Sequence, residues 1–276
     1  MHTIDKGPSH GWVQLADRQR FLLVVPNGTN GKTGDAHSNR QTWNDLRSNP
    51  VESQSQADDV GFVRALLDRL EAEYATDPSR VYVTGNSNGG MMTYRLLLEM
   101  TDRFAAAAAF IANIPVETQA PLPPRRAVPL LIWSGTRDRL MKYDGGEIIG
   151  GRGTVRSVPE TVAWWVRVNR ADTGNAQPGT LPDSDPKDGC RVKRTLYPAL
   201  TGGAPVLFYL AEGGGHTMPT QTDYGSEGGP LYKALVGRTC RDVDGADIAW
   251  EFMKGFTARK PHETSISPSN QAIRTR

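Results

Sequence analysis

Ser87 is the residue whose surroundings most strongly indicate chemistry. It lies in a Gly-x-Ser-x-Gly sequence at residues 85–89, after apolar residues 81–84, which predict a strand, and before residues 91–100, which predict a helix. A serine on such a sharp turn projects its Oγ above the sheet, and small residues must flank it. The pattern predicts that Ser87 is a nucleophile, with the backbone N–H of Asn88 as one donor to a developing oxyanion. The alternative is a solvated serine in an ordinary glycine-rich turn.

A serine hydroxyl needs a base that takes its proton, and histidine commonly serves. In folds with this turn the chain order is serine, acid, histidine, and the histidine follows the last strand. Of the five histidines, His216 and His262 follow Ser87. His216 stands in a glycine-rich stretch, residues 212–217, just past a predicted strand, whereas His262 lies in a polar segment and is expected to be solvated. We therefore expect His216 to be the base.

The acid is expected on a loop between the nucleophile and the base. Asp138 comes shortly after the predicted strand at residues 130–133, where a carboxylate can reach the imidazole Nδ1–H. Asp144 is the competing candidate, in the sequence Tyr-Asp-Gly-Gly at residues 143–146. We favour Asp138 because it lies closer to the end of the strand, and we expect the other carboxylate to serve a turn or a cap.

These residues together predict covalent acyl-transfer chemistry. The serine attacks a carbonyl, the histidine moves the proton, and the aspartate orients the imidazole and stabilises its charged form. This chemistry requires no metal and no cofactor. Trp43 and Asn44 lie in a long polar loop before the serine. They are expected either to line the acyl-binding groove or, for the aromatic ring, to anchor the loop to the core.

Strands alternate with helices along most of the chain. The hydrophobic pattern predicts strands at residues 21–26, 81–84, 104–114, 130–133, 191–197 and 206–210, and helices at residues 60–70, 91–100, 159–168 and 248–256. Such alternation predicts an α/β fold with a mostly parallel sheet covered by helices on both faces. We expect one domain over residues 1–256 and a disordered tail over residues 257–276.

The composition argues against some partners. The 32 basic and 30 acidic residues give a net charge of +2, so no nucleic-acid partner is expected. No apolar run approaches the ~18 residues that span a membrane. Residues 1–8 are polar and lack the apolar segment of a secretory signal. The two cysteines, Cys190 and Cys240, either form a disulfide or remain separate thiols, and spacing alone does not decide between these.

Several of these segments carry a resemblance to a known family. The string Ser-Asn-Gly-Gly-Met-Met at residues 87–92 is the most specific of them. The other matching segments are residues 58–62 (DDVGF), 77–86 (DPSRVYVTGN), 135–138 (GTRD), 143–146 (YDGG) and 213–217 (GGGHT). Together they resemble the secreted polyhydroxybutyrate depolymerase and feruloyl esterase family of α/β-hydrolases. The resemblance implies a triad of Ser87, Asp138 and His216, an extracellular or periplasmic location, and short-acyl, hydroxycinnamoyl or polyester substrates, small or polymeric. The sequence leaves open whether the chain forms a homo-oligomer.

The chain departs from that family at its beginning. Family members carry earlier strands and a His-Gly loop that supplies a second oxyanion donor, whereas twenty polar-rich residues precede Phe21 here. We expect the sheet to lack these N-terminal strands. Either the chain is short at its N-terminus, from a misplaced start or a fragment, or another segment or subunit fills the gap, because unpaired strand edges are costly. Two alternatives to an esterase follow. One is a catalytically impaired protein that binds polyester or plant-wall material, and the other is a serine peptidase or acyltransferase on the same fold.

Overall fold

The structure is a computed structural model that describes residues 11–37, 41–45, 47, 56–116, 118, 126–222 and 230–258. The helices are α1 (Trp12–Gln19), α2 (Asp59–Glu73), α3 (Asn88–Glu99), α4 (Val158–Val168), α5 (Pro230–Val236) and α6 (Gly245–Met253). The strands are β1 (Thr29–Asn30), β2 (Gln41–Thr42), β3 (Tyr82–Asn86), β4 (Ala106–Phe110), β5 (Leu130–Gly135), β6 (Gly146–Glu147), β7 (Thr154–Val155), β8 (Gln177–Thr180), β9 (Arg191–Tyr197) and β10 (Val206–Glu212).

Six strands form the central sheet in the order β3-β4-β5-β10-β9-β8. β3, β4, β5 and β10 run parallel, β9 pairs antiparallel with β10, and β8 pairs antiparallel with β9. The parallel part places the carboxyl ends of four strands at one edge, where ligand-binding loops gather in open α/β sheets. The predicted mostly parallel sheet is confirmed.

Helices cover both faces of this sheet, as β5 illustrates. Leu130 and Ile132 pack in one buried cluster with residues of α3 and α4. Leu131 and Trp133 pack in a second cluster with residues of α1 and α6. Successive side chains of a strand point to opposite faces, so the two clusters lie on opposite sides of the sheet. The α/β-hydrolase architecture expected from the sequence is confirmed.

The helix starts follow their local sequences. α2 begins after Asp58, whose carboxylate accepts the N–H of Gly61 at 2.8 Å and so caps the helix as predicted. α4 begins with a capping box, in which the Ser157 and Glu160 side chains each accept the other's backbone N–H. Pro159 occupies the first turn, where its missing N–H costs nothing.

The strand predicted at residues 21–26 is wrong, because this segment forms no strand. A strand needs a hydrogen-bonded neighbour, and among the described residues the sheet ends at β3, with nothing paired to its outer side. Val25 is 60% exposed, although the apolar run suggested burial. Phe21 holds the segment to the fold by stacking on Trp250, with ring centroids 4.6 Å apart.

Four short features were missed by the sequence pattern: α1, α5 and the two-residue pairings β1–β2 and β6–β7. β8 was missed as well, because it lies in a polar insertion and contains a proline and a glycine. It forms the far edge of the sheet, a position where proline is tolerated. The expected tail at residues 257–276 falls, beyond Ala258, outside the described residues. No helix among the described residues is both long and apolar enough to span a membrane.

The two cysteines form a disulfide. Cys190 lies just before β9 and Cys240 lies between α5 and α6, with Cα atoms 5.5 Å apart. The spacing fits the geometry that a disulfide requires. The question that the sequence left open is therefore resolved in favour of pairing.

β4 is built almost entirely of alanine, and all five of its residues are fully buried. Helices α3 and α6 both contact this strand. Small side chains on both faces of β4 leave room for that approach, and little room for anything larger.

Enlarging a β4 side chain is expected to destabilise the fold by overpacking. Ala108→Leu is predicted to lower the free energy of unfolding by about 1–3 kcal/mol, since the α6 side of the strand offers no space. Urea denaturation followed by circular dichroism measures the change. The matched control is Ala72→Leu on the exposed side of α2, expected to stay within about 0.5 kcal/mol of wild type. Equal effects of the two variants would contradict the packing argument.

Candidate active site

Ser87 occupies the turn between β3 and α3 in an unusual backbone conformation, with φ 53° and ψ −120°. Few residues other than glycine adopt a positive φ, and such strain persists only where the surrounding structure enforces it. Here the Ser87 N–H donates to the carbonyl of Phe110 at 2.9 Å, and the Ser87 carbonyl accepts from Met91 N–H at 3.0 Å. The first bond ties the turn to β4 and the second starts α3, so the serine is held from both sides.

The glycines around Ser87 have different roles. A Cβ atom on Gly85 would lie 2.2 Å from the carbonyl oxygen of Gly89, and one on Gly90 would lie 2.6 Å from the Ala112 Cβ. Neither can be accommodated without moving backbone or a packed side chain. A Cβ on Gly89 would meet nothing within 4 Å. The tight turn therefore requires Gly85, and the second glycine of the motif is not sterically required.

The structure brings together the three residues that the sequence proposed as a triad. His216 Nε2 lies 2.9 Å from Ser87 Oγ, and His216 Nδ1 lies 2.6 Å from Asp138 Oδ2. A carboxylate can only accept, so the Nδ1–H donates to it, and the neutral imidazole leaves Nε2 free to accept the serine proton. The His216 and Asp138 side chains are 8% and 4% exposed. The chain of contacts is thus shielded from bulk water.

The Asp138 carboxylate is oriented from its other side as well. Its Oδ1 accepts the backbone N–H groups of Leu140 and Met141, each at 2.8 Å, which leaves Oδ2 directed at the imidazole. Asp144 is exposed and lies by the β6–β7 hairpin, where it lines a cavity of about 580 Å³. The structure therefore places Asp138, and not Asp144, against His216.

The loops that carry the acid and the base contact each other directly. Arg137 N–H donates to the carbonyl of Gly214 at 2.8 Å, and Gly213 N–H donates to Thr136 Oγ1 at 2.9 Å. A Cβ on Gly135, the last residue of β5, would lie 2.4 Å from the Gly214 oxygen. The absence of a side chain there allows the two loops to touch.

Asn88 contributes a side chain that the sequence reasoning overlooked. Its Oδ1 accepts from Trp43 N–H at 2.7 Å and from Thr42 Oγ1 at 3.2 Å, and its Nδ2 donates to the Asp45 carboxylate. The side chain therefore fastens the residue 42–45 loop to the start of α3. The Asn88 backbone N–H belongs to the first turn of this helix, whose amides lack intrahelical partners.

Asp45 forms a buried ion pair behind this contact. Arg47 Nε lies 2.8 Å from Asp45 Oδ1, and the two side chains are 5% and 0% exposed. Arg47 also donates through Nη1 to the carbonyl of Arg152 at 2.6 Å, next to the β6–β7 hairpin. Buried charges need such partners to offset the loss of water. No sequence signal for this pair was recognised.

The remaining sequence candidates, Trp43 and Asn44, both belong to the loop that Asn88 fastens. Trp43 packs against the core cluster on the α3 side of the sheet. Asn44 donates its N–H to Asp59 Oδ2 at 2.7 Å, and its carbonyl accepts from Arg95 Nη1 at 2.7 Å. Burial raises the pKa of the Asp59 carboxyl, against the lowering effect of the bond from Asn44. These contacts favour the anchoring alternative for the loop.

Comparison with known proteins finds one family model and several named esterases and depolymerases. The model described as the prolyl oligopeptidase family matches residues 21–119. The putative esterase NocK of Nocardia uniformis subsp. tsuyamanensis is 33% identical over 71% of this chain and 57% of that protein. Feruloyl esterase B of Piromyces equi is 29% identical over 59% of this chain and 29% of that protein. The poly(3-hydroxybutyrate) depolymerase of Ralstonia pickettii is 34% identical over 36% of this chain and 19% of that protein.

The parallel sheet and the strand–Ser87–helix turn are those of the α/β-hydrolase fold, and the matches show that the chain is similar to esterases of that fold. The relatives include proteins named feruloyl esterase, acetylxylan esterase and poly(3-hydroxybutyrate) depolymerase. The chain spans between about a fifth and three fifths of the length of the three relatives described above.

The two motif glycines are expected to respond differently to alanine. Gly85→Ala is predicted to lower the free energy of unfolding by about 3 kcal/mol, because its Cβ meets backbone. Gly89→Ala is predicted to raise it by about 0.4–1 kcal/mol, because alanine restricts the unfolded chain and the space around Gly89 is open. Chemical denaturation of both variants measures the difference. Similar destabilisation by the two substitutions would show that the steric account of the turn is mistaken.

Substitution of the two candidate acids, Asp138 and Asp144, is expected to affect kcat very differently. Asp138→Asn is predicted to lower kcat for p-nitrophenyl acetate by about 10³–10⁴-fold, because the amide no longer selects the imidazole tautomer. The control, Asp144→Asn, is predicted to stay within about twofold of wild type, since surface substitutions have small effects. Steady-state kinetics decide the matter, and a larger loss in the Asp144 variant would reverse the assignment.

Proposed function

We propose that this protein is a serine carboxylic ester hydrolase in which Ser87 is the nucleophile, His216 the general base and Asp138 the orienting acid. One observation carries the proposal. The Ser87 hydroxyl, the His216 imidazole and the Asp138 carboxylate form a continuous series of contacts of 2.9 and 2.6 Å. The series begins at a turn that exposes the serine at the carboxyl edge of the sheet, the arrangement that nucleophilic acyl transfer requires.

The reaction follows from these contacts. His216 Nε2 takes the hydroxyl proton as Ser87 Oγ attacks the ester carbonyl, and the Asn88 N–H faces the negative charge that develops on oxygen. Asp138 stabilises the imidazolium. The imidazolium then protonates the leaving alcohol and an acyl-enzyme remains. Water, activated by the same imidazole, attacks that ester and releases the acid and free Ser87.

The substrate class we propose comprises short-acyl, hydroxycinnamoyl or hydroxyalkanoate esters. The support is the set of similar proteins, whose names include feruloyl esterase, acetylxylan esterase and poly(3-hydroxybutyrate) depolymerase. All three names denote esters with a carbonyl that a serine can reach, while the alcohol differs among sugar, polysaccharide and hydroxy acid. We therefore propose the type of bond that is cleaved, a carboxylic ester, and make no proposal for the alcohol component of the substrate. We further propose that residues 1–256 act as one catalytic domain.

A second candidate is a serine peptidase, which the match to the prolyl oligopeptidase family favours. The same three side chains serve amide cleavage, where the imidazolium must protonate a poorer leaving group. A comparison of matched ester and anilide substrates separates the two. We expect the ester to be cleaved with the higher kcat/KM, since the other relatives described above are named esterases or depolymerases.

The proposed nucleophile is tested by labelling. A fluorophosphonate probe is expected to modify wild type at Ser87 and to leave Ser87→Ala unmodified, with loss of p-nitrophenyl acetate hydrolysis. The control is Ser79→Ala, because the Ser79 hydroxyl is bound to Asp77 in a turn and takes no part in the series. That variant should label and turn over as wild type does. Folded wild-type protein that neither labels nor hydrolyses esters would reject the proposal and favour a binding role. Faster cleavage of the anilide would favour the peptidase.

A further inference from the structure

We propose that the Cys190–Cys240 disulfide positions His216, so that the rate of ester cleavage depends on this bond being intact. The inference rests on the proposed function, in which His216 is the base. It goes beyond that function because neither cysteine belongs to the triad. The two cysteines lie far apart in sequence and both are buried, 1% and 2% exposed, next to the loop that carries the base.

The base loop, residues 213–217, is bonded through its second half to a segment that follows it, whereas residues 213 and 214 bond to the loop after β5. His216 N–H donates to the Val236 carbonyl at 2.6 Å, and Gly215 N–H donates to the Arg238 carbonyl at 2.8 Å. Thr217 Oγ1 donates to the same Arg238 oxygen at 2.9 Å. The position of the imidazole therefore depends on where residues 236–238 lie.

Besides bonds from Arg139 Nη1 to the Ala234 carbonyl at 3.0 Å and from Thr220 N–H to the Cys240 carbonyl at 3.1 Å, that segment is held by little packing. Of residues 230–241, two are buried: Val236 and Cys240. Leu231 and Tyr232 of α5 are 86% and 52% exposed. A segment with so few buried contacts is held weakly by packing, and opens at low free energy unless something else retains it. Cys240 is the covalent anchor, two residues beyond Arg238.

The other end of the disulfide lies under the base loop. A Cβ on Gly214 would be 3.7 Å from the Cys190 sulfur, and one on Gly213 would be 2.3 Å from the Gly189 carbonyl. The loop thus lies between the chain at Cys190 and the segment that ends at Cys240. The disulfide joins these two sides and prevents them from separating around the loop.

Noncovalent bonds also join the two sides, but they are more exposed. Asp188 accepts from Cys190 N–H through one carboxylate oxygen and from Arg241 N–H through the other, each at 2.7 Å. Arg238 donates to the Gly189 carbonyl at 3.4 Å. Water competes for such bonds at the surface, so their net contribution is small. Without the disulfide, we expect the base loop to sample positions in which Nε2 no longer meets the serine hydroxyl.

This role predicts a particular kinetic signature. The double variant Cys190→Ala/Cys240→Ala should show kcat for p-nitrophenyl acetate reduced at least about tenfold, because the base is in place for a smaller fraction of the time. KM should change less than about twofold, because the disulfide lies next to the base loop and not in the turn that carries Ser87, where the substrate is expected to bind. The fluorophosphonate rate constant should fall in parallel with kcat, because it needs the same base.

A stability-matched control separates positioning from general destabilisation. Val192→Ala removes fully buried methyl groups two residues from Cys190 on β9 and keeps the disulfide intact. Both variants are assayed well below their melting temperatures. Retained kcat in Val192→Ala together with the fall in the double variant supports positioning. An unchanged kcat in the double variant, an equal fall in both, or a parallel change in KM would overturn it.

Reduction of folded wild type provides the same test without a substitution. Dithiothreitol gives two electrons and two protons to the disulfide, which becomes two thiols, while the reagent closes to its cyclic disulfide. With circular dichroism showing a folded protein, kcat should fall at least about tenfold and recover on reoxidation. Full activity of the reduced, folded protein would overturn the inference and leave the proposed function intact. Oxidised wild type without ester hydrolysis would instead defeat the proposed function.

Discussion

The site depends on the contact between two loops, one after β5 and one after β10. These strands are parallel neighbours, so their carboxyl ends lie side by side. Hydrogen bonds then join the loops, from Arg137 N–H to the Gly214 carbonyl and from Gly213 N–H to Thr136 Oγ1. The bonds between the loops therefore fix where Asp138 and His216 lie relative to each other, whatever rotamers their side chains adopt. Ser87, the proposed nucleophile, lies on a separate turn, which the Ser87–Phe110 bond ties to β4. The His216 imidazole lies between Ser87 and Asp138. The strands β3, β5 and β10, which precede these three residues, therefore set the geometry of the site.

Much of this could be predicted because the relevant signals are local. The turn around Ser87 needs small residues in a fixed strand–turn–helix order, and the chain order of serine, acid and base limits the candidates for the other two. All of β5 and most apolar residues of β10 are buried, and continuous hydrophobic runs are typical of such strands. The choice of Asp138 over Asp144 used the same reasoning, since a carboxylate nearest the strand end has the shortest path to the imidazole.

The rest could not be predicted because it depends on contacts distant in sequence. Residues 21–26 have the composition of a strand, but a strand also needs a neighbour, which the described part of the chain does not supply. The disulfide joins positions 50 residues apart, and only the folded chain shows that they meet. The Asn88 side chain and the buried Asp45–Arg47 pair are polar groups within a polar stretch. Their burial comes from tertiary packing that no periodicity encodes.

The position of β3 has a consequence for how the protein loses activity. Among the described residues β3 is the outermost parallel strand, and all five of its residues are only half-buried. The strands before Asp138 and His216, by contrast, are interior. Sheets open from their least protected margin, and opening free energies rise toward the centre. Ser87, the proposed nucleophile, thus follows an edge strand, whereas Asp138 and His216 follow strands of the interior. Opening of the β3 edge would therefore displace Ser87 while the β5–β10 centre is still folded, and the proposed activity would be lost before the fold.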